Sequence, residues 1–363
     1  MFRLPTTTGQ QGFVVTQSHL YSLNKRNTGF VVPRVCRKTM GECTVYGCGV
    51  DVDAIVADLM TVSTDDVDDA MNEHKKVDGS TFDATRYFDT MRRLRGKDDD
   101  DVVPTVLITA RSTGSTQTSL QKRAGRLVDG TVFVADRQRG GRGRGGNTWE
   151  SPDGCLMFSM SCTYPGDGKT LPFVQYMVSL AIVDTIQSLV EEENKSFPIR
   201  IKWPNDIYYC PHEGGGAPIK IGGVLCHSSY RDSSFCMTIG VGINVSNSKP
   251  TTCLCDIFQD AEIRREDVVA GIVHRVETML PKLADSGFDQ FKQAYCHAWL
   301  HSGQCVTVTH DDQLVSVRIS GLTEQGYLLA TALDDNNACS YELCPDGNSL
   351  DFFRGLIVTK KSS

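Results

Sequence analysis

From Pro104 onward the chain is a succession of short apolar runs rich in β-branched residues, set apart by turn residues and interrupted by few helical stretches. VLITA (106–110), TVFVAD (131–136) and CLMFSMSCTY (155–164) read as buried strands, as do the runs around IRIKW, DIYYC, IKIGGVLCHS and FCMTIGVGINV. Helical spacing is confined to STQTSLQKRAGRL, opened by a Ser/Thr cap, to FVQYMVSLAIVDTIQSLVEEE (173–193), and to two helices within 266–300. Strands outnumber helices and several are joined by short turns. An α+β fold with a mixed β-sheet covered by helices therefore fits better than strict βαβ repetition. After Gly303 only short strands follow (CVTVTH, VSVRIS, GYLLATA, ACSYEL, GLIVTK), the profile of a small β-barrel.

Four stretches are expected along the chain: 1–41, 42–104, a main domain over 105–302 and a small β-barrel domain over 303–363. Residues 1–41 contain no Asp or Glu, while Arg3, Lys25, Arg26, Arg34, Arg37 and Lys38 are basic, the composition of an organelle transit peptide. Residues 42–104 include FDATRYFDTMRRL (82–94), spaced for one amphipathic helix, and end in RRLRGKDDDDVVP, where like charges predict an acidic linker over 94–104.

With 363 residues, 40% hydrophobic, the chain can bury at least one large core. Its net charge of −7 argues against a protein that coats nucleic acid. The 14 cysteines are scattered, many within apolar runs, and Cys253 and Cys255 lack the spacing and His partners of a zinc site, so reduced thiols are expected. There is no run of about 18 apolar residues, so no membrane-spanning segment is expected.

The stretch RGGRGRGGNTWESPDGC (139–155) lies between two strong strands and occurs once, so it reads as a loop rather than as a repetitive Arg-Gly tail. Glycines let amide N–H groups turn toward one point and Arg142 and Arg144 add fixed cationic forks, a combination suited to carboxylate and phosphates. KWPNDIYY (202–209) sets Lys202 and the pair Asn205–Asp206 around a Trp-Pro step. KIGGVL (220–225) puts Lys220 beside two glycines, GVGINV (240–245) ends a strand in glycines and Asn244, and STGSTQTS (112–119) brings hydroxyls to a helix N-terminus. Singly, each is equally a turn, a bulge, a strand end or a cap.

In this order and spacing the segments resemble the biotin protein ligases, most closely the eukaryotic holocarboxylase synthetases, over about Thr105 to Lys360. The match includes ST, Q-x-x-GRGRGG-x-x-W-x-SP-x-G, KWPND, K-x-GG, G-x-G-x-N and PDGNSLDFFRGLI. The resemblance implies a catalytic domain like that of biotin and lipoate ligases and class II aminoacyl-tRNA synthetases, followed by a Src-homology-3-like barrel. It also implies the reaction: ATP and biotin give biotinyl-5′-AMP and pyrophosphate, and an acceptor lysine then displaces AMP.

By the same resemblance Ser115, Thr116 and Gln138 hold the ureido ring of biotin, which needs donors and acceptors but no charge. Gly141, Arg142, Arg144, Lys220 and Gly223 complete the biotin site, with an apolar wall around Phe158. Arg142, Arg144, Trp149, Lys202, Asn205, Asp206 and Asn244 face ATP, and Asp206 is the candidate ligand for magnesium, a cation suited by hard oxygen donors. Lys220, assisted by Arg142 and Arg144, is the expected catalytic cation, because a carboxylate attacking an α-phosphate brings two anions together. The implied partners are biotin carboxyl carrier domains of biotin-dependent carboxylases. No basic recognition helix is found in 1–104, so no DNA partner is expected. The expected compartment is the cytoplasm, or the mitochondrion or plastid through the basic leader. Since every ligand motif follows Thr105, activation is expected to survive removal of residues 1–104.

Two alternatives stand beside this reading. A lipoate–protein ligase would share fold and adenylation chemistry, although its ligand-loop motif differs from GRGRGGNTW. An RNA- or phosphate-binding module using the Arg-Gly loop would show salt-sensitive RNA affinity and no biotin-dependent pyrophosphate release.

Overall fold

The computed structural model describes residues 36–40, 43–48, 50–55, 80–96, 105–190, 197–211, 216–247, 249–310, 313–333, 340–344, 348–351 and 356–359. Nine strands form the main sheet: β1 (Cys36–Met40), β2 (Cys43–Cys48), β3 (Thr105–Thr113), β4 (Thr131–Gln138), β5 (Cys155–Tyr164), β6 (Ile199–Lys202), β7 (Asp206–Tyr209), β8 (Ile219–Arg231) and β9 (Ser234–Asn244). Their order is β1-β2-β3-β4-β5-β9-β8-β7-β6. Among these described strands only β3 and β4 run parallel; every other neighbouring pair is antiparallel. The helices are α1 (Ala84–Arg95), α2 (Thr116–Gln121), α3 (Val174–Val190), α4 (Leu254–Ile257), α5 (Arg265–Ser286) and α6 (Asp289–Ala298). The helix expected over 115–127 is thus confined to the six residues of α2, with turns after it.

The period-two alternation of the strands sorts side chains between two layers. Leu156, Phe158 and Met160 of β5 and Ile239, Val241 and Ile243 of β9 enter one buried cluster with α3 and α5. Val106, Ile108 and Phe133 point the other way and meet Leu120 of α2. Between them, Met157, Ser159, Gly240 and Gly242 occupy positions of opposite parity, on the side that carries α2.

The remaining strands form a second sheet: β10 (Cys305–His310), β11 (Gln313–Leu322), β12 (Leu328–Ala332), β13 (Ser340–Leu343), β14 (Asn348–Asp351) and β15 (Leu356–Thr359). They run in the order β13-β12-β11-β10-β15-β14, with β10 and β15 parallel and the other pairs antiparallel, in keeping with a small Src-homology-3-like domain. Val306, Val317, Ile319 and Leu328 belong to the same continuous core as α3 and α5.

The N-terminal region differs from the sequence expectation. Within the expected leader Cys36–Met40 is a strand, and β2 pairs with β3 from Cys43↔Ala110 to Cys48↔Thr105, so no sheet boundary falls at residue 104. Residues 1–35 lie outside the described residues. The helix expected over 82–94 is α1, and it carries Leu94 and Arg95, the first residues of the expected linker; 97–104 lie outside the described residues. Phe82, Tyr87, Phe88 and Met91 are buried in the main core, each contributing roughly 1.5–3 kcal/mol. Polar clasps add direction: Arg86 donates twice to Asp267 Oδ2 (2.9 and 2.6 Å), Thr90 Oγ1 donates to Asp267 Oδ1 (2.7 Å), and Arg95 pairs with Glu277 (2.7 Å). Local periodicity revealed the helix, but its partners on α5 lie too far along the chain for spacing to show.

Candidate active site

A cavity of about 250 Å³ opens on the α2 side of the main sheet. Its floor is two rows across the strands: Ser159, Gly240 and Leu225 in register, then Met157, Gly242 and Gly223. Glycine matters at 242, where a Cβ would stand 2.7 Å from the Trp149 indole; bare backbone there lets the indole close down on the sheet.

At one end the lining is uncharged and polar. Ser115 caps α2, accepting from Thr118 N at 3.4 Å. Thr116 N donates to Gln138 Oε1 (2.8 Å), and the single hydroxyl proton of Thr116 Oγ1 lies between Gln138 Oε1 (3.2 Å) and Ser159 Oγ (2.9 Å). Ser159 donates to Gln117 Oε1 (3.1 Å), whose amide in turn donates to the carbonyls of Leu225 (3.2 Å) and Thr238 (3.0 Å). This chain fixes rotamers that exposed hydroxyls and amides would otherwise sample.

The Arg-Gly stretch is a hairpin over this floor. Trp149 N donates to Gly141 O (3.0 Å), Gly143 N to Asn147 O (2.7 Å), and Arg142 bridges Thr148. Gly145 and Gly146 take the left-handed conformations (φ 62 and 82°) that make the tip. From this hairpin Arg144 Nη1 reaches Asn205 Oδ1 at 3.0 Å, while Asn205 Nδ2 donates to Val224 O and Val224 N returns a bond to Asn205 O (3.0 Å).

The other end is charged. Lys220 Nζ stands 2.7 Å from Asp206 Oδ1 and 5.9 Å from the centre of the Trp149 ring. A Cβ on Gly223 would lie 3.3 Å from Asp206 Oδ1 and 3.8 Å from Lys220 Cε, so the ammonium sits close above the second floor row. Lys202 Nζ lies 5.7 Å from the Tyr208 ring.

Of the expected residues, Ser115, Thr116, Gln138, Arg142, Arg144, Trp149, Lys202, Asn205, Asp206, Lys220 and Gly223 line this one cavity. Gly141 and Asn244 do not. Gly141 is packed under the Trp149 carbonyl, where no side chain fits. Asn244 is buried and spends its amide on Thr251 Oγ1 (3.0 Å) and Thr252 O (3.1 Å); Thr251 Oγ1 also donates to Lys220 O (3.0 Å), so Asn244 steadies the Lys220 backbone from behind. Phe158 borders the cavity, but its side chain belongs to the helix-facing core. Strand parity makes Met157 and Ser159 the pocket-facing residues, and that alternation, visible in CLMFSMSCTY, could have identified them. Gln117, Asn147 and Thr148 were also missed; a glutamine in the first turn of a helix carries no signal of its own.

A profile of the biotin/lipoate A/B protein ligase family matches residues 109–244. Biotin–protein ligase 2 of Arabidopsis thaliana is 42% identical over 241 residues, 64% of this chain and 70% of that protein. The biotin–protein ligase of Homo sapiens is 34% identical over 258 residues, 65% of this chain and 34% of that protein. The structure of biotin protein ligase from Aquifex aeolicus in complex with biotin and ATP superposes with a TM-score of 0.50 at 25% identity, over 65% of this chain and 98% of that one. With motifs, fold and relatives in agreement, the chain belongs to the biotin protein ligases of the biotin/lipoate A/B protein ligase family.

Proposed function

We propose that the cavity first joins biotin to ATP and then presents the product to a lysine of a biotin carboxyl carrier domain. The observation that carries this reading is the continuity of one cavity from an uncharged hydroxyl–amide end to a cationic end, with Lys220 beside Asp206 and Trp149. Ser115, Thr116 and Gln138, braced by Ser159 and Gln117, suit the ureido group of biotin. The glycine rows leave room for its ring and chain, as an apolar ligand on bare strand requires. Lys220 then stands where the carboxylate would meet the α-phosphate, and an ammonium held there stabilises the charge that accumulates as the two anions approach. The carboxylate oxygen bonds to phosphorus and pyrophosphate leaves. In the second step the acceptor amine bonds to the acyl carbon, loses a proton, and AMP departs.

Arg142, Arg144, Lys202 and Asn205 suit the nucleotide, with Trp149 as a flat neighbour. Among the described residues Asp206 is the one carboxylate in the cavity lining, and a single carboxylate beside a phosphate site is how magnesium is commonly held, so the donor set fits an ion arriving on ATP. Such an ion would draw charge from the phosphates; Asp206 would then be shared between the ion and Lys220. The compartment we propose is the cytoplasm; the alternative is the mitochondrion or plastid, with the basic stretch 1–41 as import leader, and a fluorescent fusion of residues 1–41 distinguishes the two.

Incubation with ATP, biotin and a biotin carboxyl carrier domain tests the function. Biotin-dependent pyrophosphate release and a labelled lysine are expected. Equal activation of lipoate, or RNA binding without pyrophosphate release, would replace this reading with one of the alternatives.

A further inference from the structure

We infer that His301 is a positioning residue for the nucleotide end of the cavity, acting through the backbone of Trp203, and that the C-terminal sheet completes this support through the Gly326 carbonyl. The inference rests on the assignment of Lys202, Asn205 and Asp206 to the nucleotide.

These residues flank or form the turn between β6 and β7, two four-residue strands at the end of the main sheet. So short a ladder leaves the turn under-determined, and its polar groups are satisfied from elsewhere. Trp203 N donates to His301 Nε2 at 3.0 Å. Trp203 Nε1 donates to Tyr176 OH (3.0 Å) and Gly326 O (3.2 Å), and Tyr176 OH donates to the same carbonyl (2.7 Å). Tyr295 OH donates to Pro204 O at 3.0 Å. Three side chains and one backbone carbonyl thus fix two consecutive residues, and His301, Tyr295, Trp203 and Tyr176 are at most 3% exposed.

His301 is the group here whose protonation decides whether an acceptor exists. Nε2 can accept from Trp203 only if the ring proton sits on Nδ1, and Gln304 Oε1, 2.8 Å from Nδ1, takes that proton as a hydrogen bond and fixes the tautomer. Burial lowers the His301 pKa to about 4, which keeps the ring neutral and the acceptor available. Gly326 sits in the tight turn joining β11 to β12, closed by Thr323 N to Tyr327 O (2.9 Å). It takes φ +83°, and a Cβ there would lie 3.0 Å from Phe173 and 3.1 Å from Tyr176, so only glycine brings the carbonyl this close to the indole.

The test uses the full chain with two readouts: steady-state activation kinetics, and amide hydrogen exchange across residues 199–209. His301→Leu leaves the Trp203 N–H buried without an acceptor. The KM for ATP should rise and kcat fall by roughly tenfold or more, biotin affinity should change less than about twofold, and the 199–209 amides should lose protection. His301→Gln, whose carboxamide oxygen can take the Nε2 place, should restore most of the ATP KM. If His301→Leu does not fold, Tyr176→Phe and Gln304→Leu carry the test, each expected to raise the ATP KM several-fold. Unchanged exchange and unchanged ATP KM in the folded variants would overturn the inference. A wild-type chain that shows no biotin-dependent activation while the exchange differences persist would overturn the functional reading and leave the anchoring intact.

Discussion

The Trp149 indole lies on the bare backbone of Gly242, with 2.7 Å between its Cε2 atom and the place a Cβ would occupy. Gly242→Ala must therefore lift the indole and the hairpin that carries it. Pyrophosphate release should slow on the order of 10–10²-fold, the scale of an ångström's misplacement in a reacting site, with thermal unfolding little changed. A normal rate would mean that Trp149 is a core anchor without a role at the ligand.

Lys220→Ala removes the ammonium beside Asp206. Its charge matters most as carboxylate meets phosphate, so adenylate formation should fall on the order of 10²–10³-fold while biotin binding weakens far less. Single-turnover pyrophosphate release against biotin titration separates the two effects.

Arg144 links the hairpin to Asn205 across the cavity mouth. Arg144→Gly deletes that strut and loosens the tip, leaving Lys220 and the hydroxyl–amide end intact. Adenylate should still form but escape sooner and label bystander lysines. Release of preformed biotinyl-AMP and labelling of an unrelated lysine-rich protein are the measurements; retention equal to wild type would make the loop a passive turn.

A chain beginning at Thr105 lacks α1, contrary to the expectation that activation survives that truncation. It exposes the core around Phe82, Tyr87, Phe88 and Met91 and strips Asp267 of Arg86 and Thr90. Asp267 is then left buried without either partner and the core loses four apolar side chains, so this chain should be insoluble or unfold early. A chain beginning at Ser80 keeps α1 and should be markedly more stable. Denaturant titration of both decides.

His301 also predicts a pH dependence of folding. Its pKa is lowered from 6.5 to about 4, first by burial and further by the Lys202 charge, against the opposing effect of the hydrogen bond it donates to Gln304. Between these values the unfolded chain binds a proton that the folded chain refuses. Stability is therefore fully present above pH 6.5 and is lost as pH falls toward 4, by roughly 3 kcal/mol in all. Unfolding free energies of His301→Gln should show a correspondingly shallower acid limb than wild type.

Much of the molecule was legible where information is local. The run CLMFSMSCTY is β5 residue for residue, and the glycines of KIGGVL and GVGINV lie side by side because their strands are neighbours. What failed was pairing across the chain. The resemblance sets Asn244 at the nucleotide, whereas the local sequence gives no sign that its amide donates to Thr251 and Thr252 behind the cavity. His301, in an unremarked WLHSGQ, gave no sign that it reaches Trp203, and the acidic run after α1 hid the fact that α1 itself belongs to the core. Residue type shows what a group can do; only the fold shows which partner it finds.

The clasp of α1 on α5 also orders events during synthesis. Asp83, Arg86, Thr90 and Arg95 bond to residues 177 to 183 positions later in the chain. The contacts of Asp83, Arg86 and Thr90 cannot exist until Glu266 and Asp267 have left the ribosome, and that of Arg95 waits for Glu277, so the segment made early docks late. Phe82 and Phe88 lack those partners through that interval, a window in which a chaperone has an unfolded, apolar handle to grip.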